Sequence, residues 1–215
     1  MRPILGETIG HRLRLMGKDL LDLLRTPLGL LTTIFVTSPI GAGAMNNLWS
    51  AVAPDWHADA NTVALITGIM NGALSAVGCV VGGWAADRVG RWWSYFGSGI
   101  LLALVAIALA VVARTTTSFA VGVLLYAFFG GVAYAAFSAM VLFAIGRGAA
   151  STKYALLSSF GNIPVIYMTT FDGWAHDRYG SAGMLWMEAF AGIVCVVLGL
   201  VAVVWLRRRR AVQTE

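Results

Sequence analysis

Charge is what this sequence has least of. Only 12% of its 215 residues are Asp, Glu, Lys or Arg, about half the roughly 25% of a soluble domain. Cysteine is nearly absent too. Cys79 and Cys195 are the only two, both inside apolar runs, which excludes a disulfide framework and a cysteine metal site. No paired histidines, no Cys–His–Asp set and no metal-ligand spacing lie in those runs, so neither an enzyme nor a metal or other cofactor is expected. A nucleotide-binding glycine loop is missing as well, which excludes ATP-driven work. What fills the chain is apolar: 59% hydrophobic residues and a mean hydropathy of +0.78. The bilayer, not water, is its expected solvent.

A membrane helix needs roughly 20 mostly apolar residues. Six runs meet that length, and they predict helices over 27–50, 62–86, 92–113, 118–145, 154–175 and 182–206. The fold class expected is therefore an all-α membrane protein, a six-helix transmembrane domain over 27–206. Residues 1–26 lack the apolar core of a signal peptide. Ile9, Leu13, Met16, Leu20 and Leu23 recur there at spacings of three and four, predicting an amphipathic linker helix, lipid-bound or merely solvated. Residues 207–215 form a basic tail.

Basic residues set the orientation. With the N-terminus inside, 13 of the 15 Lys and Arg fall on the cytoplasmic side, and only Arg114 and Arg178 lie outside. Both termini are then cytoplasmic, and an inner (plasma) membrane of a bacterium is the expected location. The formal charge of +5 follows from this placement and calls for no nucleic acid. Arg207–Arg210, directly after an apolar helix, reads as an anchor at the membrane face.

One nonamer occurs twice. Gly83-Trp84-Ala85-Ala86-Asp87-Arg88-Val89-Gly90-Arg91 returns ninety residues later as Gly173-Trp174-Ala175-His176-Asp177-Arg178-Tyr179-Gly180-Ser181, identical at six positions of nine. Each copy closes one apolar run and opens the next. Three predicted helices separate the copies, so they fall on opposite faces of the membrane. That predicts two three-helix repeats of inverted topology.

The first copy carries legible chemistry. Gly83 permits close approach at the helix end. Asp87 is placed to cap a helix N-terminus. Gly90 suits a turn of positive φ. Arg88 and Arg91 suit lipid phosphate or a pair with Asp87. A plain basic loop is the simpler alternative. The spacing Gly83-xxx-Asp87-Arg88-x-Gly90-Arg91 resembles the signature loop of the major facilitator superfamily, between the second and third helices of each six-helix half. Residues 27–206 resemble the C-terminal half of such a transporter, and 1–26 the linker between halves. Gly130–Phe137, Ser151–Ser158 and Gly173-Trp174 further resemble the muropeptide permease and acetyl-CoA transporter family. Tyr126 and Ala127 depart from it where an acid and an Asn often stand, and Lys153 where Gln is usual.

The resemblance implies a permease that moves a small solute by alternating access, with the five loop residues as a gate. It also implies a second six-helix half as partner, from another copy or a separate chain; a non-transporting assembly subunit or gene remnant is the alternative. Paired small residues in the runs, Gly68 with Gly72, Gly78 with Gly82, Gly41 with Gly43, and Gly130 with Gly131, predict close helix packing. Asn162 and Pro164 predict a break in the fifth helix. Polar residues nearest the midplane are candidates for a solute path: Asn71, Ser75, Tyr134, Ser138, Asn162 and Tyr167. Each alone is also consistent with a bond between helices. Asp172 and Glu188 are the acids inside the apolar runs and the candidates for proton coupling. Contact with headgroups or a pair with Arg178 is their alternative.

Overall fold

The computed structural model describes residues 14, 17, 18, 21, 25–145 and 150–212, with side chains as far as 204. The expected amphipathic helix over 1–26 lies largely outside these, and of the basic tail of 207–215 only the helical backbone to 212 is included. Every element among the described residues is helical.

The first apolar run is not one helix. Helix α1, Pro27–Val36, starts at Thr26, whose hydroxyl accepts from Gly29 N at 3.0 Å, with Pro27 in the first turn. It stops because Pro39 has no N–H to continue the ladder and because Gly41 and Gly43 take φ of 68° and 70°. Gly41 also sits where an added Cβ would lie 2.7 Å from Ala133 Cβ. The chain then turns through 3₁₀ segments and the short α2, Trp49–Val52. The expected single span over 27–50 is thus a helix, an unwound stretch and a cluster of short turns.

Helix α3 runs Ala60–Arg88. Asp59 caps it, accepting from Thr62 N at 2.9 Å and from the Thr62 hydroxyl at 2.7 Å. The Thr62 backbone N–H holds the Asp59 carboxyl below the usual carboxylate range. A π-helical turn, Ile66–Met70, interrupts its first half. Helix α4 is Arg91–Val111, α5 Thr116–Ile145, α6 Ala150–Phe160 and α7 Asn162–Val212.

Helix α7 counts 51 residues. A straight helix of that length spans about 75 Å, far more than the roughly 30 Å hydrocarbon layer. It is two helices meeting at Gly180, where φ is 69°. Asp172 and Glu188 stand eight residues either side of that glycine, yet their carboxyl groups adjoin. The arms therefore fold back against each other. Among the described residues, four helical stretches are long and apolar enough to cross a membrane: Ala60–Arg88, Arg91–Val111, Thr116–Ile145 and Ser151–Val204.

Helix α5 is central, packed on α3, on α4 and on α1. Its contact with α3 is close because Gly131 lies against the Ser75 carbonyl, and Gly78 and Gly82 against the Phe128 and Val132 carbonyls. Gly68, Gly72 and Gly130 meet nothing within 4 Å, so these expected packing positions are not used. Edge-to-face aromatics fill both ends of the core. Trp49 packs on Phe119 and Tyr126, and Phe35 packs on Trp92 and Phe96. Large apolar residues also face outward, among them Ile69, Val80, Val111 and Phe190, as a bilayer solvent requires. The molecule is an integral membrane protein.

The two nonamers adopt the same local form. Arg88 lies 5.9 Å from the Trp84 ring and Arg178 5.8 Å from the Trp174 ring, both within cation–π range. In each copy the eighth residue is a glycine of positive φ, Gly90 at 100° and Gly180 at 69°. In each, that glycine separates two long helices.

Candidate functional site

Two polar regions stand out in this apolar bundle. The first is a cavity of about 450 Å³ where two helix breaks face each other. One wall is the unwound stretch after α1, with Ser38 and Gly41. The other is the junction of α6 and α7, where Gly161 separates Phe160 from Asn162. Tyr134 and Phe137 of α5 close it, their rings stacked at 6.3 Å. The break expected near Asn162 and Pro164 is present, and both residues line the cavity.

Two tyrosines, Tyr95 buried and Tyr167 half-buried, hold the unwound stretch in place. The Tyr95 hydroxyl lies 3.0 Å from both the Phe35 and the Ile40 carbonyl oxygens. The Tyr167 hydroxyl donates to the Thr37 carbonyl at 3.0 Å. These carbonyls lost their helical partners at Pro39 and the glycines, and the tyrosines supply substitutes.

Of the six solute-path candidates, Tyr134 and Asn162 share the cavity wall. Ser138 lies one helical turn beyond Tyr134 and accepts from the Tyr154 hydroxyl at 3.4 Å. Tyr167 is committed to the Thr37 carbonyl. Asn71 donates to Asn46 Oδ1 at 3.2 Å, and beside it Asn47 donates to Thr169 at 3.1 Å. Ser75 lies in the α3–α5 contact, its carbonyl against Gly131. The six do not form one constellation. They divide between the cavity, the Asn46–Asn71 pair and the helix contacts.

The second region is a buried carboxyl pair. Asp172 is fully buried and Glu188 nearly so. The Tyr126 hydroxyl donates to Glu188 Oε1. Among the described residues, both oxygens of Asp172, and Glu188 Oε2, have no hydrogen-bond donor. The alternative uses foreseen for these acids, headgroup contact or a pair with Arg178, do not hold. Arg178 instead lies over Trp174, and burial keeps both acids from the surface. Two adjoining carboxyls away from water need a shared proton or a cation between them, because two bare carboxylates repel and offer each other no donor. The sequence marks Tyr126 only as a departure from the resembled family, not as a site residue.

The signature loop differs in part from its expected chemistry. Asp87 does not cap α4, whose N-cap is Gly90 without a side-chain bond. It sits exposed in the last turn of α3. Arg91 does not pair with it either, since its guanidinium lies 3.9 Å over the Phe143 ring of α5. Gly83 meets nothing within 4 Å, so its place at the helix end is open to a neighbour outside this bundle. At the opposite end, Asp55 accepts from the Ser181 hydroxyl and lies 3.7 Å from Arg114. That polar cluster ties the turns after α2 to the bend at Gly180.

An apolar bundle with helix breaks around a polar cavity and a buried carboxyl pair defines a polytopic membrane protein built to handle solutes. Residues 30–215 match the family model of the Major Facilitator Superfamily, and the chain belongs to that superfamily of transporters. No curated protein matches the sequence.

Proposed function

We propose that this chain is a secondary transporter, or the C-terminal six-helix half of one, that moves a small solute by alternating access and is driven by protons. The observation that carries the coupling is the buried pair Asp172–Glu188, bonded by Tyr126 and unmatched by any cation among the described residues. A proton taken up there supplies the missing donor. Its loss leaves charge that the apolar surroundings do not tolerate, which biases the bundle toward a state that readmits water. Among the described residues, no other titratable group adjoins the three. The effect on the solute path is direct in chain terms, because Asp172 shares an arm of α7 with Asn162 and Tyr167.

The full arrangement proposed is six spans in two inverted triplets, with both termini cytoplasmic in a bacterial inner membrane. The doubled Trp–Arg pair and positive-φ glycine support the repeat. Asp87, Arg88 and Arg91 then form a cytoplasmic gate with Gly83 and Gly90. The path runs from Ser138, through the cavity at Tyr134 and Asn162, to the Asn46–Asn71 pair. The likeness to muropeptide permeases and acetyl-CoA transporters rests on Gly130–Phe137 and Ser151–Ser158. In this chain those segments supply the α5 wall and the α6 wall of the cavity.

The test is uptake into proteoliposomes under an imposed pH gradient, using a panel of labelled solutes. Any solute the parent accumulates should lose gradient-driven accumulation in Glu188→Gln, by tenfold or more, while gradient-free counterflow persists. Unchanged accumulation in that variant removes the proton role. Absence of uptake and counterflow for every solute, with the second half present, favours a non-transporting assembly subunit.

A further inference from the structure

We infer that the cavity at the two helix breaks binds an uncharged solute bearing hydroxyl or amide groups; this rests on the transporter reading above. About 450 Å³ lies within the roughly 300–1,000 Å³ range of ligand pockets. Among the described residues, its lining holds no Asp, Glu, Lys, Arg or His. Its polar groups are neutral: the hydroxyls of Ser38, Ser158 and Ser159, the phenols of Tyr95 and Tyr134, and the Asn162 amide.

Ser158 is the group that points to a ligand. Its Oγ is buried and has no hydrogen-bond partner. A helical serine ordinarily returns its hydroxyl to the carbonyl one turn back, as Ser159 does to Ala155 at 2.8 Å. Ser158 does not, and it lines the cavity. A buried hydroxyl left unbonded is costly, so a ligand or water group belongs against it. Asn162 is also under-used, with one long bond from its amide nitrogen to the Ser159 carbonyl at 3.4 Å. Its side-chain oxygen is free to accept.

Charge selection follows from what is missing. Carrying an ion into an apolar bundle without a counter-charge is expensive, whereas a neutral solute loses only hydrogen bonds that these groups replace. The start of α7 does not rescue an anion. Pro164 occupies its third position and lacks the N–H that an anion site at a helix N-terminus would use. Tyr134 is 60% exposed and backed by Phe137, a flat apolar platform for the carbon face of a ring.

The experiment is a thermal-stability screen of the full chain in nanodiscs. One arm contains hexoses, polyols, nucleosides and primary amides. The other contains carboxylates, phosphates and amines of matched carbon number. At least one uncharged compound should raise the melting temperature of the parent. Ser158→Ala and Asn162→Ala should each weaken its apparent affinity about tenfold, while Thr117→Ala, in the first turn of α5 and outside the lining, leaves it unchanged. Asn162→Gln serves if the alanine variant does not assemble. Stabilisation by an acid, phosphate or amine that Asn162→Ala abolishes overturns the uncharged class and leaves the transporter reading standing. No shift from any uncharged compound also overturns it. An uncharged compound that binds as expected but is never taken up defeats the transporter reading and keeps the site.

Discussion

Tyr126 is the donor that makes the buried acids into a unit. Its hydroxyl bonds Glu188 Oε1, and its ring packs on Trp49 at 5.5 Å. Tyr126→Phe keeps the ring and removes the donor. A buried acceptor left unpaired costs about 1–3 kcal/mol, so the variant should melt several degrees lower and lose most gradient-driven uptake. Equal melting and equal uptake in the parent and Tyr126→Phe remove the hydroxyl from both roles. The acids themselves were legible in the sequence, since an intramembrane carboxyl stands out by its cost. Their pairing was not legible, because it depends on α7 folding back at Gly180. Nor was Tyr126, 62 residues from Glu188; a lone tyrosine in an apolar run carries no sign of what its hydroxyl meets.

At the scale of elements, the α3–α5 contact depends on which glycines face it. An added Cβ at Gly131 would overlap the Ser75 carbonyl, whereas at Gly130 it would meet open space. The clash is with backbone, so no side-chain rotation relieves it, and the helices must separate. Gly131→Ala should therefore cost about 1–3 kcal/mol, while Gly130→Ala stays within about 0.5 kcal/mol of the parent. Denaturation in a lipid-like detergent measures both, and equal stabilities would show the contact to be yielding. Small residues at spacing four revealed that helices pack closely. They did not reveal the face, because Gly68 and Gly72 satisfy the same pattern and touch nothing. The first apolar run failed as a single helix for a related reason. Its length and lack of charge spoke for one span, while Pro39, Gly41 and Gly43 spoke locally for a break, and the break prevailed. Tyr95 and Tyr167, which make that break affordable, lie 55 and 130 residues from the carbonyls of Ile40 and Thr37, beyond any local reading.

For the whole molecule, the outer surface divides in two. Ile69, Val80, Val111, Phe190 and Leu198 suit lipid. Asn46, Asn47, Tyr134 and Asn162 are exposed as well, and they do not. Asn46 and Asn47 bond Asn71 and Thr169 across the bundle, which leaves part of each amide unmatched. Exposed to hydrocarbon, such groups cost on the order of 1 kcal/mol or more each; against a second bundle or a water-filled cavity they do not. Asp87 is exposed at the end of α3 near the open Gly83, and the proposed gate would give it a neighbour outside this bundle. A single copy would thus present a polar wall to lipid and hold half of a gate. The chain is expected to transport only when paired with a second copy or a separate N-terminal half. Mass measurement in nanodiscs, run beside uptake on the same preparation, decides it. Uptake should follow the paired species and vanish from a fraction holding one copy per disc. A monodisperse single bundle that accumulates solute would mean that the polar wall faces a water path of its own, and the need for a partner half would fall.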